Sequence, residues 1–157
     1  MPRHSYKKNT SKTDALFQSI EVAKLINYVM VDGKKSVAQH VVYGMLEKIK
    51  EKGEDPLKLL YKAIGNVAPT NEVKPRRVGG ASYLVPIEVR ADRKLYLALN
   101  WIVNAAKTRP NKEYRSFTDK LLAEILDAAN NQGSAVTKRQ QSEKLAESNK
   151  AFAHFKW

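Results

Sequence analysis

Side chains able to do chemistry are few in this sequence, and their spacing argues against a catalyst. The three histidines, His4, His40 and His154, are scattered over 157 residues, and none has another ligand type at the short interval a metal site needs. Cysteine is absent, which removes thiol nucleophiles, disulfides and Cys-based zinc sites and suits a reducing compartment. Gly33-Lys34-Lys35-Ser36 holds fragments of a phosphate loop, but the Walker pattern needs glycine where Tyr28 stands and Ser or Thr where Lys35 stands. What survives there is a helix start whose amides either hold one backbone phosphate or face water. Gly79-Gly80 lacks the further glycine of a dinucleotide fingerprint, so turn chemistry explains it. Glu124 and Asp127 stand one helical step apart, yet no other carboxylate joins them in a metal cluster. The sequence therefore predicts no enzyme, no metal and no cofactor.

Charge is the stronger signal. The chain holds 28 Lys+Arg against 16 Asp+Glu, a formal net charge of +12, where a small domain usually carries about 2–8. With 43% hydrophobic residues it is no disordered polyelectrolyte. Such self-repulsion calls for a polyanionic partner. The surplus is segregated as well. Residues 13–73 balance eight basic against eight acidic side chains. The tail 1–12 nets +4 through Arg3, Lys7, Lys8 and Lys12, and 74–94 nets +4 through Lys74, Arg76, Arg77, Arg90, Arg93 and Lys94. Residues 107–120 and 134–157 net +3 each, and 121–133 nets −2. Uniform solubilising charge would not be parcelled out in this way. For the Lys7/Lys8 tail, a solubilising arm is the competing explanation.

The elements that must position these cations read as a single domain over 1–157. Apolar residues recur at helical spacing over Ser19–Met30, with Ile20, Ala23, Ile26 and Val29 on one stripe. They recur again through Val37, Val41, Met45 and Ile49 up to Gly53. Asp55-Pro56 supplies an N-cap and first-turn proline for a third helix through Leu57, Leu60, Tyr61, Ile64 and Val67. A fourth helix spans Asp92–Lys107. A fifth opens at Ser116 with Asp119 as a capping box and closes at Gly133. A sixth, more polar helix covers Thr137–Phe152. Between the third and fourth helices the period changes to two: Tyr83, Val85, Ile87 and Val89 alternate with Leu84, Pro86, Glu88 and Arg90. With Gly79-Gly80 as the turn, residues 72–90 form a β-hairpin arm, whose prolines suit a ribbon that has only edges. The fold class is thus mainly α, a six-helix body with a projecting two-stranded ribbon; 1–12 is a basic arm and 134–157 a basic helix and tail. The most apolar run, Leu95–Ala106, is interrupted by Asn100 and Asn104, so no membrane span is expected, and the N-terminus lacks the apolar stretch of a secretory signal. Trp101 belongs to the core. Phe152, Phe155 and Trp157, interleaved with Lys150 and Lys156, either pack against the body or stack on bases.

Several motifs resemble one family. Val31-Asp-Gly-Lys-Lys-Ser36, Pro69-Thr-Asn-Glu-Val-Lys74, Arg76-Arg-Val-Gly-Gly80, Val85-Pro86, Glu88-Val-Arg90, Trp101-Ile-Val103 and Ala151-Phe-Ala-His154 look like the universal small-subunit ribosomal protein seven, in its bacterial or organellar form. The likeness keeps order and spacing along nearly the whole chain. It implies primary binding to the 3′ major domain of small-subunit rRNA, nucleation of the subunit head, and a place in cytoplasmic or organellar ribosomes. It also implies the ninth and eleventh small-subunit proteins as neighbours. Facing rRNA would be Arg3, Lys7, Lys8 and Lys12, then Gly33, Lys34 and Lys35. Lys74, Arg76 and Arg77 on the ribbon, Arg90, Arg93 and Lys94 at its base, and Lys112 and Arg115 beyond complete that set. Val78, Gly79, Gly80 and Tyr83, with Lys138, Arg139 and Lys144, would approach exit-site tRNA and mRNA. Two departures stand out: Asn100 replaces a basic residue often found before the tryptophan, and Lys12–Phe17 lacks the usual prolines. A DNA-bending protein with a basic β-arm shares the composition, and the motifs favour the ribosomal alternative.

Overall fold

Six α-helices and one ribbon follow in chain order in a computed structural model that describes residues 12–155. The expectations for Arg3, Lys7, Lys8, Lys156 and Trp157 lie outside those residues. The helices are α1 (Ile20–Val29), α2 (Lys35–Glu51), α3 (Pro56–Val67), α4 (Ala91–Thr108), α5 (Phe117–Ala129) and α6 (Ser134–Ser148). Strands β1 (Asn71–Val78) and β2 (Ala81–Glu88) separate α3 from α4, and a 3₁₀ helix (Lys150–Phe155) follows α6. Three helix starts are chemically defined. Ser19 accepts from the Val22 amide, Asp55 from Leu57 and Lys58 ahead of Pro56, and Ser116 from Asp119.

The core lies where α5 packs against α2, α3 and α4. Leu25, Ile26, Met45, Leu46, Ile49, Leu60, Leu99, Ile102, Leu121 and Ile125 are fully buried there, each contributing about 1.5–3 kcal/mol of burial. Three predicted apolar-stripe positions are not in it. Ile20 is 42%, Val37 59% and Tyr61 42% exposed, because the buried stripe of α1 runs through Val22, Leu25, Ile26 and Val29, that of α2 through Ala38, Val42, Met45, Leu46 and Ile49, and that of α3 through Leu60, Ala63, Ile64 and Val67. Trp101 packs half-buried against the core.

The joint between α5 and α6 also differs from expectation. Gly133 does not close α5, which ends at Ala129 with Asn130 as its cap. Gly133, at φ 93°, instead caps the start of α6. That helix starts at Ser134 and stops at Ser148 rather than running to Phe152, and it buries the small residues Ala135, Val136 and Ala146. Leu145 of the same helix is 43% exposed.

The chain enters α1 through a strap held by Asp14. This buried carboxylate accepts the amides of Leu16 (3.1 Å) and Phe17 (3.2 Å) and the Tyr43 hydroxyl of α2 (2.7 Å). Phe17 adds a ring contact to Tyr43 at 6.0 Å. Burial alone pushes the Asp14 carboxyl up, but the hydrogen bonds from Tyr43 and the neighbouring amides outweigh it and hold the group below the ordinary carboxylate range.

The ribbon pairs antiparallel from Asn71↔Glu88 to Val78↔Ala81. Gly79 (φ 57°) and Gly80 (φ 90°) both occupy left-handed backbone, as a two-residue turn matching strand twist requires. Val89 donates its amide to the Thr70 carbonyl, and Thr70 donates its amide and hydroxyl to Glu143 of α6. Farther out, Tyr83 lies 5.1 Å from Phe152 and 5.3 Å from Phe155, ring centre to ring centre. In the alternative left open by the sequence, Phe152 and Phe155 are therefore engaged in packing against the arm.

Candidate nucleic-acid interface

Strand alternation places Glu72, Lys74 and Arg76 on one face of β1. The first turn of α4 brings Arg90, Arg93 and Lys94 opposite them, across an open groove of about 1290 Å³ floored by Ile87, Val89 and Ala91. Arg90 is the N-cap of α4, and its carbonyl accepts the amides of Arg93 and Lys94. Cations at a helix N-terminus work against the macrodipole, each by about 0.3–1 kcal/mol. Asp92 is the acidic residue in that first turn. A basic groove at a helix N-terminus can accept an anion from outside.

Side chains in the groove are partly oriented from within. Glu72 accepts from Arg93 Nε at 3.3 Å and lies 3.8 Å from Lys74 Nζ. The Arg93 guanidinium also stacks 4.9 Å from the Tyr96 ring, which meets Tyr28 edge-on at 5.6 Å. Burial, and then the neighbouring Tyr96, push the Tyr28 hydroxyl up. Tyr96 is 36% exposed, so it offers both a ring edge and a support for Arg93.

The other predicted residues among those described do not line this groove. Lys34 and Lys35 are exposed at the start of α2, after a turn with Asp32 and Gly33 at positive φ; no side chain caps that helix. Arg77 is exposed on the ribbon near Val78, which is half-buried beside the turn. On α6, Lys138 and Lys144 are exposed, whereas Arg139 is half-buried with its Nε 3.7 Å from Glu143.

Lys112 and Arg115 are exposed on the loop joining α4 to α5, but two other cations of that basic segment turn inward. Arg109 donates to Glu124 Oε2 through Nε (2.9 Å) and Nη2 (2.6 Å), to Asp127 through Nη2, and to the Tyr114 hydroxyl at 3.0 Å. Its guanidinium stacks 5.4 Å from the Tyr114 ring. Burial opposes the Arg109 charge, but Asp127 and Glu124 more than reverse this and raise its affinity for the proton. Lys120, 8% exposed, donates to the Arg109 carbonyl and to Asn111 Oδ1, both at 2.6 Å. The charge surplus of 107–120 therefore overstates what an outside partner meets. The sequence signal for this arrangement was Glu124 and Asp127 together on one side of a helix, a pair that demands a cation when buried. Among the described residues no cluster of His, Cys, Asp or Glu is arranged to hold a metal ion, and no helix is long and apolar enough to cross a membrane.

Comparison with known proteins adds an independent observation. The family model described as ribosomal protein S7p/S5e matches residues 1–150. Small ribosomal subunit protein uS7 of Caldicellulosiruptor bescii is 52% identical over 159 aligned residues, covering 100% of both chains. The protein of that name from Caldanaerobacter subterraneus subsp. tengcongensis is 53% identical over 145 residues, 92% of this chain and 91% of its own. In Paramagnetospirillum magneticum the identity is 48% over 156 residues, with 99% and 98% coverage.

Proposed function

Since the chain belongs to the ribosomal protein S7p/S5e family and is thereby a non-enzymatic, structural constituent of the small ribosomal subunit in translation, we propose that it acts as a primary rRNA-binding protein. In this proposal it engages the 3′ major domain and nucleates assembly of the subunit head in a bacterial cytoplasm. The observation that carries it is the groove between β1 and α4, where five cations, Lys74, Arg76, Arg90, Arg93 and Lys94, converge on a helix N-terminus. A curved basic cleft of this kind suits the phosphates of a folded RNA, which is recognised by shape and backbone. Lys34, Lys35, Lys112 and Arg115 extend the contact to other strands of the same RNA, and Arg3, Lys7, Lys8 and Lys12 add further cations for it. The ribbon turn at Val78–Gly80, with Tyr83 and with Lys138, Arg139 and Lys144 of α6, lies toward exit-site tRNA and mRNA, and the ninth and eleventh small-subunit proteins are its protein neighbours.

The test compares affinity for a 3′ major domain fragment with affinity for duplex DNA of equal charge in the same salt. RNA is expected to win clearly. Neutralising about 6–10 phosphates should cost roughly 10³–10⁵ in affinity between 50 and 200 mM salt, on the duplex-DNA scale. Equal affinity for DNA would favour the architectural DNA-binding alternative, and a flat salt response would remove the electrostatic basis altogether.

A further inference from the structure

We infer that Arg109 is a positioning residue for the RNA-facing loop: its ion cluster with Glu124, Asp127 and Tyr114 holds Lys112 and Arg115 in a fixed geometry for binding phosphates. The inference rests on the proposed RNA contact of that loop. Loops carrying exposed charges are ordinarily mobile, and ordering them on binding costs affinity. Here the loop is tied down from beneath at successive points. Its first residue, Arg109, is fixed by four donated bonds to three side chains. Tyr114, next to Arg115, is held both by its hydroxyl and by its ring face. Asn111, next to Lys112, is held by Lys120, which also grips the Arg109 carbonyl. Ser116 closes the loop as the N-cap of α5. Each outward cation is thus flanked by a residue anchored inward, an alternation that separates the work of holding from the work of contact.

The cluster is itself braced. Glu124 is 1% exposed, and its second oxygen accepts the Ala135 amide at the start of α6. A planar fork is needed to reach Glu124, Asp127 and Tyr114 at once, and lysine lacks one. Arg109→Lys therefore keeps the net charge and the number of exposed cations while loosening the loop.

The experiment is a double-mutant cycle on the full chain binding a 3′ major domain rRNA fragment, with Arg109→Lys crossed against the pair Lys112→Ala and Arg115→Ala. Arg109→Lys alone should weaken binding about threefold to tenfold, a magnitude typical of coupled contacts. It should also flatten the salt slope toward that of the Lys112/Arg115 variant, whose own slope falls by about two. In the background lacking Lys112 and Arg115, Arg109→Lys should have no further effect. The same loss in both backgrounds, or no loss in a folded variant, overturns the inference. Where Arg109→Lys lowers the fraction folded, Asn111→Ala takes its place in the cycle, since it removes one exposed anchor outside the buried cluster, and the same outcomes decide. If Lys112→Ala with Arg115→Ala binds as tightly as the unaltered chain, the loop lies outside the interface and the inference falls with it. The wider RNA proposal would survive that result, because it fails only if the intact protein does not prefer the rRNA fragment.

Discussion

The strap before α1 makes a quantitative prediction. Among the described residues, the Asp14 carboxylate accepts a long-range hydrogen bond from the Tyr43 hydroxyl at 2.7 Å and local ones from the amides of Leu16 and Phe17. Hydrogen bonds to a charged group contribute about 1.5–3 kcal/mol, and local capping bonds about 1 kcal/mol. Asp14→Ala removes the set and leaves the Tyr43 hydroxyl without its acceptor, so a loss of about 3 kcal/mol is expected. For a chain of this length that lowers Tm by roughly 6–12 °C. Tyr43→Phe removes only the long-range bond and should cost about half as much, and because the two substitutions delete one shared interaction their effects should not add. The pH dependence follows from the sign of the shift. Asp14 is held below the ordinary carboxylate value in the folded state, so its contribution is complete above about pH 4 and fades as pH falls through the lower folded-state value. Thermal melts followed by circular dichroism at pH 7, 4 and 2.5 should show the unaltered chain converging on Asp14→Ala in acid. An Asp14→Ala protein that melts normally at pH 7, or a gap that stays constant down to the lowest pH, would refute this account of the strap.

Replacing Arg76–Tyr83 by a short Gly/Ser turn should leave the helical signal intact, since none of the residues replaced is buried, while binding to isolated rRNA weakens but persists; an unfolded product would show that the ribbon belongs to the core. Gly133→Ala places a Cβ 3.0 Å from Glu124 Oε1 at a backbone angle of φ 93°, so a loss of about 2 kcal/mol is expected, visible as a Tm drop of roughly 4–8 °C, and an unchanged melt would mean that α5 and α6 part easily. Truncation of residues 1–12 should spare the fold and lower rRNA affinity, checked by circular dichroism and binding on one sample; unaltered affinity would assign that segment a solubilising role.

Local signals in the sequence anticipated local structure. Asp55-Pro56 and Ser116 open the helices they were expected to open, and Gly79-Gly80 turns the ribbon in register. In each case the deciding interaction spans two to four residues. What the sequence concealed depends on partners far away along the chain. Asp14 meets Tyr43, Tyr83 meets Phe152, and Thr70 meets Glu143; no periodicity announces any of them. Charge alone points to 74–94, and simple strand and helix geometry gathers five of its six cations, Lys74, Arg76, Arg90, Arg93 and Lys94, around one groove. Charge alone does not separate Arg109 and Lys120, turned inward, from Lys112 and Arg115 outside, because the difference lies in Glu124, Asp127, Asn111 and the Arg109 carbonyl. Gly133 opens α6 rather than closing α5 for a related reason: glycine suits either side of a helix boundary, and the packing of Glu124 beneath it decides which.

The contact of Tyr83 with Phe152 and Phe155 also bears on how the chain is made. The two partners stand about 70 residues apart, so at synthesis rates of roughly 5–20 residues per second the ribbon emerges about 4–14 s before its cover exists. During that interval Tyr83 lacks both ring contacts, and a lone two-stranded hairpin is marginal in water. The nascent ribbon is therefore open to wrong pairing or cleavage until Phe152 and Phe155 emerge to cover Tyr83.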